Sequence, residues 1–237
     1  FLSGIFPLIT AVISLFVLAE PESWKQADKS GNNELRRQIF SADYRKNLIH
    51  GSIVFGAMLI GLWAVFLWAP TWVQSITPDS SKANELRGTT MMVLALSGLA
   101  GSMVSGWIVN RIGMRKTMMI CFIVCFMMTA AVFKLNTAVT ATTFIEMGFL
   151  AFFFGISQGA LSVYIPLLFP AKVRASATGF CFNIGRLFTA TVVFFIGALV
   201  AFLGGYGNAV FVFSFIFLIG LIATFSSKDE LKPAMES

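Results

Sequence analysis

The chain has 237 residues, of which 57% are hydrophobic and only 12% charged, and its net charge is +6. A soluble domain carries about twice that share of charge, so a water-soluble enzyme or binding domain is excluded. The pI of about 9.5 invites a nucleic-acid interpretation, but the cations are spaced along the chain as membrane topology requires rather than gathered into a patch.

Seven apolar stretches follow in chain order: 1–19, about 48–73, 89–109, 117–133, 138–169, 179–203 and 207–225. Each suits the roughly 20 residues that cross a hydrocarbon core. Spans of a β-barrel are shorter and alternate polar with apolar positions, which these do not. The predicted fold class is an all-α polytopic membrane protein.

Residue 1 already lies inside the first stretch, with no charged flank or signal peptide before it, so the beginning reads as cut. Lys25, Lys29, Arg36, Arg37, Arg45 and Lys46 follow the first stretch; Arg111, Arg115 and Lys116 follow the third; Lys172 and Arg174 follow the fifth; Lys228 and Lys232 follow the seventh. These thirteen of the 17 cations share one side, which the positive-inside rule places in the cytoplasm together with the C-terminus. The first stretch then enters from outside, and an odd number of earlier helices is expected.

Segment 20–47 is polar, begins with the helix-stopping Pro21, and is the one connection long enough to link two bundles. Segment 74–88 is expected as an outer loop, with Pro78-Asp79-Ser80-Ser81 supplying turn chemistry. The links at 134–137 and 203–207 are short, so their flanking helices are antiparallel neighbours. Cys121, Cys125 and Cys181 all lie in apolar stretches at spacings that fit neither a metal site nor a disulfide framework. No cofactor is expected. His50 stands near the cytoplasmic mouth of the second span, as a surface histidine or a proton relay.

Polar side chains inside the spans are the candidates for function. Glu146 is the one acidic residue well inside an apolar stretch, a turn or two below the outer end of the fifth span. An intramembrane carboxylate is costly and faces a cavity or a partner. It suits proton coupling or cargo binding, or else an interfacial glutamate paired with Lys134 or water. Ser157 and Tyr164 fall on the same helical face. Asn183 and Arg186 share a face of the sixth span, where Arg186 either meets an anionic cargo or snorkels to the cytoplasmic surface and serves a gate. Gln158 forms an interhelical hydrogen bond or contacts cargo near the midplane. Trp72 and Trp68 suit an interfacial belt, whereas Trp63 lies deeper and is a cavity-lining candidate. Small residues at Gly98, Gly101, Ser102, Ser105, Gly155 and Gly159 predict close helix contacts.

The sharpest local pattern is Gly106-Trp107-Ile108-Val109-Asn110-Arg111-Ile112-Gly113-Met114-Arg115-Lys116. It joins two spans by a tight basic turn, whose glycines permit close approach or unusual backbone angles and whose cations suit helix C-termini and lipid phosphate. The run resembles the signature loop of the major facilitator superfamily, Gly-x-x-x-Asp-Arg/Lys-x-Gly-x-Arg-Lys/Arg, with Asn110 in the acidic position. Pro21-Glu22-Ser23-Trp24 looks like the element closing helix six in sugar-porter-like members. Leu168-Phe169-Pro170-Ala171-Lys172-Val173-Arg174-Ala175 looks like the loop between helices ten and eleven. Leu167 stands where related transporters often carry Glu. Without those two acids, Arg111, Arg115 and Arg174 are expected to cap helix ends or to meet Glu22. The stretch 179–186 looks like helix eleven of organic-acid and metabolite symporters.

The resemblance implies that residues 1–19 are the last helix of an N-terminal bundle, 20–47 a cytoplasmic central loop, 48–226 a C-terminal six-helix bundle and 227–237 a cytoplasmic tail. The partner bundle of the same polypeptide is missing from the sequence. The implied function is secondary active transport of a small polar metabolite, an organic anion or a sugar, by alternating access across the plasma (inner) membrane, with proton coupling and contact with lipids. Gly106, Asn110, Arg111, Gly113, Arg115, Lys116, Glu22 and Arg174 would form the cytoplasmic gate. An uncoupled facilitator or exchanger is the alternative; a structural membrane subunit or membrane-embedded enzyme is remoter, since the spans offer no catalytic cluster at one depth.

Overall fold

A computed structural model of the chain describes residues 9, 10, 12–14 and 39–226. The chain divides into two units, Phe1–Phe40 and Ser41–Ser237. Of the first, residues 9, 10 and 12–14 are helical; Glu22 and the motif around it lie outside the described residues, as does the tail 227–237.

Among its described residues the second unit consists of helices joined by short links. Its helices are α1 (Ala42–Ile76), α2 (Ser80–Ile112), α3 (Met114–Ala130, continued by a π-helical turn Ala131–Leu135), α4 (Ala141–Leu167), α5 (Ala171–Leu203), α6 (Tyr206–Ser214) and α7 (Ile216–Ser226). Among the described residues five helices are long and apolar enough to cross a membrane, with α6 and α7 making one of them. The two halves of α5, Ala171–Val192 and Gly197–Leu203, meet at a bend of 51° and make a sixth when taken as one span. The chain is an integral membrane protein of all-α architecture. Its outward surface fits that solvent: Met103, Phe194 and Phe202 are 79%, 81% and 85% exposed, which suits lipid rather than water.

Local chemistry sets the helix ends. Asp79 starts α2 nine residues earlier than the apolar pattern suggests, so the outer link shrinks to Thr77–Asp79. The Ser81 hydroxyl and amide both donate to Asp79 Oδ1, at 2.6 and 2.9 Å, capping the helix. Those bonds hold its carboxyl below the ordinary value, the hydroxyl contributing most. The cap is intact above the ordinary carboxylate range and is lost as the pH falls through the lowered value. Thr140 and Thr143 form a reciprocal capping box on α4. Pro170 precedes α5, a proline being suited to a helix start because the donor it lacks has no intrahelical partner there. Gly204 ends the helix in the left-handed conformation, with φ 75°.

In lipid, helices associate through close packing and hydrogen bonds rather than through expulsion of water. The small-residue positions supply that packing. A Cβ on Gly155 would stand 1.9 Å from Gly98 O, and one on Gly101 2.0 Å from Phe152 O. Ser102 donates its hydroxyl to Gly155 O at 3.1 Å. The α2–α4 contact is the most extensive in the unit. On the other side of α1, Phe217 is fully buried over Gly61 and stacks near Phe154, which in turn meets Phe66. Trp72, expected in an interfacial belt, is instead 5% exposed and packs edge-on against Phe133. Trp68 stacks on Tyr206 with centroids 5.2 Å apart.

The α2–α4 seam makes a direct prediction. Gly155→Val places its Cβ against a backbone carbonyl that cannot rotate away. Overpacking of this kind costs about 1–3 kcal/mol or more, and the melting temperature of the purified protein should fall by several degrees. An unchanged melting temperature would show that the two helices separate easily.

Candidate functional site

Three helices turn regularly spaced side chains toward one cavity. From α1 come Phe55, Leu59 and Trp63, each four residues after the last, and so on one face. From α4 come Gln158, Leu161 and Ser162; from α5 come Phe182 and Arg186. Together they line a cavity of about 390 Å³. Leu59, Trp63 and Arg186 also border an adjoining space of about 240 Å³, completed by Leu67, Thr189 and Ala190. Glycines allow α1 and α5 to approach closely: a Cβ on Gly185 would lie 3.3 Å from Gly56 Cα and 2.6 Å from Phe55 Cδ1. Phe55 and Phe182 then face each other at 4.5 Å, and Arg186 stands beside Trp63.

Among the described residues Arg186 has neither a hydrogen-bond nor an ion-pair partner. It lies about 22 Å along α5 from Ala171. Arg186 is exposed near the middle of α5, which itself begins eight residues before the apolar run. Trp63 is 44% exposed and lines this space. Among the described residues the Gln158 amide nitrogen is shielded and has no hydrogen-bond partner. A cavity with one unpaired cation, one unpaired amide and aromatic walls can hold a small anion with an unsaturated or aromatic body.

Three other expected site residues are elsewhere. Asn183 is exposed and outside the cavity lining; Phe182, four positions before Arg186, shares its face instead. Tyr164 is 1% exposed and shares a hydrogen bond of 2.5 Å with His50, joining α4 to α1. Glu146 accepts a hydrogen bond of 2.7 Å from Asn136 Nδ2 at the end of the π-helical turn. The same Asn136 amide reaches Val132 O at 3.2 Å, and its Oδ1 accepts from Thr143. Lys134, one of the partners considered for an interfacial Glu146, donates to Asn208. The Glu146 face of α4 is a packing face: Leu150, Ser157 and Tyr164 on it are buried. Asn136 is a polar residue that sequence spacing did not single out, whereas His50, expected as a surface histidine or a proton relay, bonds Tyr164. An asparagine in a short link was the available signal.

The basic turn is built as its residue types suggest, with one exception. Gly113 ends α2 and starts α3 at φ 89°, ψ 153°, a region that side chains other than hydrogen scarcely enter. Gly106 lies in α2 with open space around its Cβ position, and nothing in the described structure explains it as glycine. Asn110 and Lys116 are exposed. Arg111 lies over the Trp107 ring, 4.8 Å from its centroid. Arg115 donates to Thr224 O at 3.3 Å and to Phe225 O, capping the end of α7. Arg174 donates to Phe169 O at 3.1 Å, just beyond α4. These arginines act on helix C-terminal carbonyls.

The sequence profile of the Major Facilitator Superfamily matches residues 1–190. The chain is 26% identical over 211 residues to a probable 4-methylmuconolactone transporter of Cupriavidus pinatubonensis, covering 86% of this chain and 47% of that protein. It is 25% identical over 209 residues to a cis,cis-muconate transport protein of Acinetobacter baylyi, covering 84% and 49%. Similarity to a gallate transporter of Pseudomonas putida is 25% over 173 residues, covering 72% and 35%. The chain spans about half the length, or less, of these curated relatives.

Proposed function

The chain belongs to the major facilitator superfamily, and from that premise we propose that it forms the C-terminal bundle of a secondary transporter for a small organic anion. Residues 48–226 are that bundle, and a second bundle closes the cavity to complete a midplane site that opens alternately to each side. The observation that carries this is Arg186, an unpaired guanidinium halfway along α5 beside Trp63 and Phe182. An uncompensated cation at that depth is costly, and an anionic cargo removes the cost. The relatives named for muconate and gallate support a carboxylate. A sugar is less suited, because its several hydroxyls need more hydrogen-bonding side chains than the cavity offers.

Proton coupling belongs to the same proposal. Uptake of one negative charge against an inside-negative potential costs about 2.3 kcal/mol per 100 mV; a proton carried with it makes the step electroneutral. The basic ends of the helices face the cytoplasm of a cell whose plasma membrane holds the protein. Full-length protein in proteoliposomes should accumulate gallate or cis,cis-muconate under an inward proton gradient and should ignore glucose. Uptake of glucose alone would overturn the anion assignment, and gradient-independent equilibration would reduce the protein to an uncoupled facilitator.

The basic turn serves as the gate in this scheme. Gly113→Leu forces a side chain into a backbone conformation that costs about 1–3 kcal/mol. Its expected signature is a lower maximum uptake rate with cargo affinity unchanged, measured by initial rates at several cargo concentrations. An unchanged maximum rate would remove the turn from the gate.

A further inference from the structure

Around the cavity Gln158 and Arg186, from different helices, hold donors with no partner among the described residues, and so does the Trp63 indole on α1. Ser162 already donates its hydroxyl to Gly159 O at 2.7 Å. Phe55, Leu59, Trp63, Leu161 and Phe182 offer no acceptor. Gln158 on α4 keeps its Nε2 shielded from water without an acceptor, an arrangement that is unfavourable until one arrives. Arg186 on α5 has no partner among the described residues either. Helices α1 and α5 are held together by extensive contact, and so are α2 and α4, whereas α4 and α5 meet sparsely. Gln158 and Arg186 therefore stand on either side of a weakly bridged seam.

Resting on the anion reading above, we infer that Gln158 is a specificity-determining residue that selects a carboxylate. The guanidinium of Arg186 takes one carboxylate oxygen. The Gln158 carboxamide turns about its soft terminal torsion and donates to the second. The cargo then bridges α4 and α5 through its charged end, while its body lies against Trp63, Phe55 and Phe182. A primary carboxamide binds more weakly, since both its bonds are neutral: Arg186 meets its carbonyl oxygen, and Gln158 must turn its own oxygen toward the NH₂. An alcohol is rejected because it fills one position and leaves the other N–H orphaned. Arg186 by itself would discriminate by charge; Gln158 adds discrimination by acceptor count.

The probes are benzoate and its neutral isostere benzamide, measured by calorimetry on the full-length protein in nanodiscs. Wild type should prefer benzoate by a hundredfold or more. Gln158→Leu should weaken benzoate about ten- to a hundredfold, the share of one hydrogen bond to a charged group, and weaken benzamide by less, the share of a neutral one, so the preference narrows. Gln158→His, which keeps a donor, should recover part of it. Gln158→Glu should abolish benzoate binding. Melting of the unliganded protein guards against a merely structural role: Gln158→Leu removes an orphaned donor and should melt no lower than wild type. A Gln158→Leu protein with unchanged benzoate affinity and unchanged preference overturns the inference and leaves the anion reading standing. A lowered unliganded melting temperature with an unchanged preference assigns Gln158 to helix packing and overturns it too. A wild type that fails to prefer benzoate over benzamide overturns both.

Discussion

Replacing Arg186 with glutamine should abolish high-affinity carboxylate binding while leaving the bundle folded. Removing one partner of a desolvated, hydrogen-bonded charge pair costs about 2–5 kcal/mol, some thirtyfold or more in affinity. Arg186 has no protein partner among the described residues, so its loss orphans no acid, and the unliganded melting temperature should hold or rise. Arg186→Lys should fall between: the charge remains, but the planar fork is lost. Calorimetry with benzoate beside thermal melting separates the two effects. A large drop in melting temperature for Arg186→Gln would mark the arginine as a structural residue.

The second large effect is expected at the turn between α3 and α4. Asn136→Ala removes donations to Val132 O and Glu146 and the acceptor used by Thr143. With the Glu146 carboxylate left without this donor, the loss should reach about 2–4 kcal/mol, seen as a marked fall in melting temperature. Glu146→Gln should be mild, because a carboxamide oxygen still accepts from Asn136. Gradient-driven uptake should survive it, since Glu146 is committed to the turn and the cavity lies farther along α4. If Glu146→Gln lost accumulation but kept exchange of preloaded cargo, the carboxylate would be the proton carrier after all.

The spans were legible because long apolar runs leave little choice in a bilayer, where every backbone group must be paired within its own helix. The basic turn was legible because Gly113 is required by its backbone angles and Arg115 by the carbonyls it caps. Facing was less legible. These helices are apolar nearly all round, so the contrast that orients a surface helix is missing. Asn183 and Tyr164 were therefore grouped with the cavity, while Phe55, Leu59 and Phe182 went unnoticed as its walls. The angular offset between Asn183 and Phe182 on α5 decides which one faces α1, and that depends on the Gly56–Gly185 approach. The partner of Glu146 was hidden for a related reason: Asn136 lies ten residues earlier in the chain, across the short link. The start of α2 at Ser80 was set by the Asp79 cap, which hydropathy does not register.

The most direct measurement is a structure of the full-length protein with 4-bromobenzoate, the bromine marking the orientation of the ring. The carboxylate is expected within about 3 Å of the Arg186 guanidinium, with the ring against Trp63 and the bromine pointing away from α5. A bound ligand centred elsewhere, with Arg186 still unpaired, would contradict the assignment of this cavity as the cargo site.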